Sequence, residues 1–135
     1  FLSRSRRPRT CSSPFSGMEI THLPRVSIAY WHCGADIGIL DHMCEHSDGI
    51  VLAGSGSGNY GSPGQKHRHE LASRHFIVRA SRVPQGIVFD SPIFDPQGDT
   101  IPAYTFSPHK ARILLMLALL KTRDREEIRR LFAIC

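Results

Sequence analysis

Apolar and polar positions along this chain change period several times, and each change marks an element. Val26, Ile28 and Tyr30 alternate with smaller partners, the period of two expected of a strand over 26–31. After Asp36, which offers an N-cap, Ile37, Ile39, Leu40, Met43 and Cys44 recur at helical spacing. The apolar run from Ile50 to Ala53 predicts a second, buried strand. A weaker helical pattern covers 65–74, and His75 to Ala80 predicts a third strand. A long polar connection rich in proline follows, with a fourth short strand expected over 103–106. Ser107 and Pro108 make an N-cap and first-turn pair for a helix running to Lys121, whose charge complements the helix dipole. Asp124 caps a final helix, with Glu126 and Glu127 near its positive end.

Strands that alternate with helices predict a parallel sheet with right-handed crossovers. The expected fold is α/β: a small three-layer domain with about four parallel strands flanked by helices, flavodoxin- or Rossmann-like in its layering. Residues 1–23 mix Arg, Ser, Pro and Gly without apolar periodicity and read as an irregular basic lead-in, so the domain is expected over 24–135. In such sheets ligands bind beyond the carboxyl ends of the strands. Those ends fall at 31–34, 54–59 and 81–86.

Composition adds little to this picture except by locating charge. At 135 residues, 41% hydrophobic and 21% charged, the chain has the length and composition of one ordinary folded domain. The net charge of +5 suggests nucleic acid until Arg4, Arg6, Arg7 and Arg9 are seen to supply most of it. The rest of the chain is nearly neutral, and no aromatic residue interleaves with those arginines to stack a base. A solvated tail is the simpler reading, and nucleic acid is not an expected partner. The longest apolar run, Ile113 to Leu120, is far below the roughly 20 residues of a membrane-spanning helix, so no membrane partner is expected. No apolar run follows the basic residues at the start, so no signal peptide is expected in these residues. Cys11, Cys33, Cys44 and Cys135 have neither C-x-x-C pairing nor regular spacing, which predicts no disulfide framework and no zinc knuckle.

The chemistry-bearing segment is Asp48 to Asn59, an apolar strand running into a loop with Gly54, Gly56 and Gly58 that ends on the only asparagine of the chain. Glycine lets backbone turn sharply and approach a ligand closely. Gly56-x-Gly58-x-x-Gly61 also matches the dinucleotide fingerprint in letters. Pro63 and Gly64 argue against a helix starting where a pyrophosphate needs one, and no acidic residue ends the next strand, so no nucleotide cofactor is expected. His32, Cys33, His42, Cys44 and His46 invite a metal. Their irregular spacing favours a solvated histidine face with Cys44 in the core, and no metal site is expected. Lys66 to Glu70 reads as exposed surface, and the apolar helix after Pro108 as a buried one.

The segments LPRVSIAY, DGIVLAGSGSGN, IVRASRVPQG and SPHKARILLMLALLKTRDREEIRRLF together resemble the C-terminal domain of bacterial-type L-asparaginases, closest to the tetrameric, high-affinity class. The resemblance runs from about Ser13 almost to the end of the chain. It implies a smaller α/β domain that follows a larger N-terminal one, in a family that hydrolyses the side-chain amide of L-asparagine, and often L-glutamine, to the acid and ammonia. The family's nucleophile is a threonine in an N-terminal T-G-G-T-I pattern, and no such pattern occurs here. Thr10, Thr21, Thr100, Thr105 and Thr122 stand in unrelated contexts, so the chain by itself is expected to hold no catalytic residue.

The resemblance places the family's substrate-contacting asparagine on Asn59, presented by Gly58 and the rest of its loop. A glutamate that the family sets near the substrate's amino group has no counterpart here; Asp90 and Asp95 stand around its expected place, Asp90 being the candidate. Partners implied are an N-terminal asparaginase domain and further copies, as a dimer or tetramer. An exported, periplasmic setting is implied for that class, with a cytoplasmic one left open. The alternative reading is a non-catalytic binding or assembly module, or a decayed fragment that still folds.

Overall fold

The computed structural model describes residues 12–59 and 62–135, so the arginine arm at 4–9 lies outside the described residues. Eight elements follow in order: β1 (Val26–Tyr30), α1 (Gly38–His46), β2 (Gly49–Gly54), α2 (Ser62–Ala72), β3 (Phe76–Ser81), β4 (Ile101–Pro102), α3 (Pro108–Lys121) and α4 (Arg125–Ile134). The strands form one parallel sheet in the order β1-β2-β3-β4, so the layered α/β expectation is met.

Both faces of the sheet are covered, which is why its strands are continuously apolar rather than alternating. Val26, Val51, Val78 and Ile101 point to the face packed by Leu115 and Leu119 of α3 and Ile128, Leu131 and Phe132 of α4. Ala29, Ile50, Leu52 and Ile77 point to the other, against Leu40 and Cys44 of α1 and Leu71 and Ala72 of α2. Burial pushes the Cys44 thiol up to about 11, as fits a core residue. Gly49 is held small by α3: a Cβ there would lie 2.9 Å from Leu115.

Helix ends follow their local chemistry. The Ser107 hydroxyl accepts from the Lys110 amide and Pro108 opens α3, while Asp124 accepts from the Glu126 amide at the start of α4. Asp36 caps differently from expectation: its Oδ1 accepts from Gly38 N at 2.9 Å, but the N-cap position is Ile37. α3 is not buried all round either. Ile113 is half exposed and borders an open apolar groove of about 500 Å³ with Phe15, Phe106 and Leu117. Phe15 of the lead-in also packs on the α3–α4 core, and Lys121 donates to the Pro14 carbonyl. Among the described residues, no helix is long and apolar enough to cross a membrane.

Two elements depart from the sequence reading. β4 occupies 101–102 rather than 103–106, because Tyr104 turns into the left-handed region at φ 51 and ends the strand. Pro102, which cannot donate to a ladder, sits on the edge strand where that costs nothing. α2 starts at Ser62, not at 65, with Pro63 and Gly64 inside it. A proline in the first turn lacks only an N–H that has no helical partner there.

Candidate functional site

Gly54 closes β2 at the carboxyl edge of the sheet, and the chain folds back at once. Ser55 and Asn59 exchange both main-chain hydrogen bonds, 2.9 Å from Ser55 N to Asn59 O and 2.7 Å from Asn59 N to Ser55 O. Gly56 and Gly58 take φ of +52 and +78 to make this five-residue loop close, a geometry costly for residues with a side chain. The loop is pinned from beneath by Arg79 of β3. That side chain is 1% exposed, and its guanidinium donates to Ser57 O at 2.7 Å and to Phe89 O at 2.8 Å. Gly58 packs directly on the arginine stem: a Cβ there would approach Arg79 Cγ to 2.6 Å. Ser57 Oγ in turn accepts from Phe89 N, tying the loop to the segment after β3.

The outcome is a fixed main chain carrying an exposed side chain. Asn59 is exposed, and its amide makes no hydrogen bond to another described residue. An amide offers two donors and an acceptor, a combination suited to a ligand bearing both ammonium and carboxylate groups. The loop suits a phosphate less well, since the Ser55 and Asn59 N–H groups are spent on each other's carbonyl oxygens. This replaces the sequence-level reason for rejecting a nucleotide, because a helix does begin at Ser62 after all. The missing acidic residue after β3 still counts against it.

Asp90 is exposed, and its Oδ1 accepts from Arg129 of α4 at 2.9 Å. The same guanidinium also donates to the carbonyls of Gly98 and Thr100, so it clamps the segment that carries Asp90. Asp95 is buried instead, where it accepts from Arg68, from the Thr100 amide and from the Thr100 hydroxyl. Arg68 itself is 2% exposed, so the run 66–70 is only in part the exposed surface its sequence suggests. Its charge is compensated by a residue 27 positions away, a pairing that no local pattern reveals. No local pattern groups Arg68, Arg79, Asp95 and Thr100 as a buried set; the one signal for it in the sequence is an arginine inside the apolar strand HFIVRAS.

Burial raises the Asp95 carboxyl, but the two hydrogen bonds from Thr100 and the charges of Arg68 and Arg79 together outweigh it and hold the group below its ordinary 3.8. A carboxyl lowered on folding contributes stability that is complete above its unfolded value and lost as pH falls through the folded one. Denaturation midpoints should therefore be flat near neutrality and fall below about pH 4. An Asp95→Asn variant, destabilised at pH 7, should lose less on acidification. An equal loss in both proteins would remove Asp95 from the account.

Among the described threonines, Thr100 is fully buried and donates to Asp95, which makes it structural. Thr10 lies outside the described residues. Cys33 and Cys44 are free thiols.

The family model described as Glutaminase/Asparaginase C-terminal domain matches residues 25–132. L-asparaginase 2 of Escherichia coli K12 is 35% identical over 129 residues, covering 93% of this chain and 37% of that protein. The glutaminase-asparaginase of Pseudomonas fluorescens is 33% identical, covering 91% of this chain and 35% of its own. A crystal structure of a probable cytoplasmic L-asparaginase from Campylobacter jejuni superposes on the whole chain with a TM-score of 0.86 at 35% identity, this chain covering 44% of it. The chain thus spans little more than a third of the length of the curated relatives it matches.

Proposed function

Because the chain belongs to the glutaminase/asparaginase C-terminal domain family, we propose that it forms one wall of an amide-hydrolysing site, presenting Asn59 to L-asparagine or L-glutamine. The nucleophile comes from an N-terminal asparaginase domain. The observation that carries this reading is the side chain of Asn59: exposed and without a hydrogen-bond partner among the described residues, on a loop whose main chain is locked from both sides. Locked loops hold a ligand-binding group in place before the ligand arrives, so little ordering entropy is lost on binding.

Supporting contacts have a surface available to them. Val83, Phe89 and Ile93 are exposed apolar side chains on the segment that follows β3, next to the Asn59 loop through the Ser57–Phe89 bond. That segment is suited to packing against an N-terminal domain or a second copy in a dimer or tetramer. Asp90 is assigned a structural part here, holding Arg129, and Asn59 carries the recognition.

The test joins this chain to the portion of the Escherichia coli relative that it does not cover, and measures ammonia release from L-asparagine. The joined protein is expected to be active and the 135-residue chain alone inactive. Asn59→Ala should lower kcat/KM by about tenfold or more, the worth of a hydrogen bond to a charged ligand. Unchanged kinetics would remove Asn59 from the site, and ammonia release by the chain alone would overturn the division of labour.

A further inference from the structure

The last turns of α1 carry His42-Met43-Cys44-Glu45-His46. Cys44 is buried and Met43 packs beside it, which leaves His42, Glu45 and His46 exposed together on the outer side. Positions three and four apart share a helix face. Here one ligand atom from each of the three lies within 4.8 Å of the others, and the two imidazoles stack with centroids 4.3 Å apart.

Two features go beyond proximity. His46 Nδ1 stands 2.8 Å from the carbonyl oxygen of His42. A carbonyl only accepts, so Nδ1 carries a proton, and in the neutral ring Nε2 is the nitrogen that keeps its lone pair. That is the tautomer in which a histidine binds a metal while its other nitrogen is steadied by backbone. The cluster also sits at the C-terminal end of α1, where the aligned peptide dipoles favour a cation, and Glu45 adds a full negative charge. Arg25 donates to the His46 carbonyl at 3.2 Å and brings an opposing charge, which lowers affinity but occupies none of the ligand atoms.

We infer that His42, Glu45 and His46 form a surface site for an imidazole-preferring divalent transition metal such as nickel, zinc or copper. Two imidazoles with one carboxylate select these ions over magnesium or calcium, which take oxygen ligands. Two atoms bound to one ion at about 2.1 Å each stand at most about 4.2 Å apart. Small rotations of exposed side chains close the set from its present spacing, leaving the remaining coordination positions to water.

Calorimetric titration of nickel chloride into the reduced 135-residue chain tests this. One ion per chain is expected. His42→Gln and His46→Gln should each weaken binding by about tenfold or more, since even loss of an outer-shell partner costs that much. Cys11→Ser and Cys33→Ser should leave the isotherm as it was. Circular dichroism of the histidine variants should match the wild type, because both side chains are exposed and their loss leaves the core intact. Absence of saturable binding at millimolar nickel, or an isotherm that survives His46→Gln or vanishes with Cys33→Ser, overturns the assignment.

Discussion

Arg79→Ala is expected to cost about 3 kcal/mol or more and to lower the melting temperature by roughly 10 °C. The side chain is fully buried in β3, and its guanidinium satisfies the carbonyls of Ser57 and Phe89 and reaches the Thr100 hydroxyl. Truncation takes the donor from two part-buried carbonyls and from the buried Thr100 hydroxyl, and an acceptor left buried without a donor costs about 1–3 kcal/mol. It also removes one of the two cations that compensate buried Asp95. Breaking a buried charge set by deleting one member is more damaging than never having had it. Arg79→Lys is expected to recover little, because one ammonium cannot bridge Ser57 and Phe89 as a planar fork does. Urea denaturation of the three proteins decides the matter: a midpoint for Arg79→Ala equal to that of the wild type would show that the loop stands without its support.

Gly54→Ala should have the second largest effect, with its damage falling on the site. An added Cβ would lie 2.4 Å from the Asn59 carbonyl oxygen and 2.6 Å from the Gly58 carbonyl carbon. Both are backbone atoms of the loop that closes on itself there, so no side-chain rotation relieves the contact. Overpacking of this kind costs about 1–3 kcal/mol, and the loop must open to accept the methyl. Gly56→Ala is the informative control. It meets no atom within 4 Å and suffers only its φ of +52, a cost of about 1–2 kcal/mol. Gly54→Ala should therefore abolish activity in the joined protein, while Gly56→Ala keeps a measurable part of it. Equal activity in the two variants would mean that loop closure does not position Asn59.

Most of the architecture was legible before any coordinate. β1, β2 and β3 announced themselves as apolar runs bounded by turn residues, and α3 and α4 by caps at Ser107 and Asp124 that act within three residues of their targets. The asparagine at the end of the glycine loop stood out for the same reason, because loop chemistry is written in consecutive residues. α2 was half legible: its proline and glycine read as breakers, yet a first turn tolerates both. β4 was misplaced because two residues on an edge have no periodicity to read.

What the sequence alone determined, then, is whatever depends on neighbours within a turn of helix or a few residues of strand: layer architecture, caps and the glycine loop that ends on Asn59. Only the tertiary structure decided which polar groups are buried and with whom. Arg68 and Asp95 are 27 positions apart, and Arg79 and Thr100 21. Charge compensation in a low-dielectric interior acts through space over a few ångströms and is indifferent to distance along the chain. The same indifference brought Arg79 under the Ser57 carbonyl, and that contact turns a flexible glycine stretch into a rigid mount for one amide.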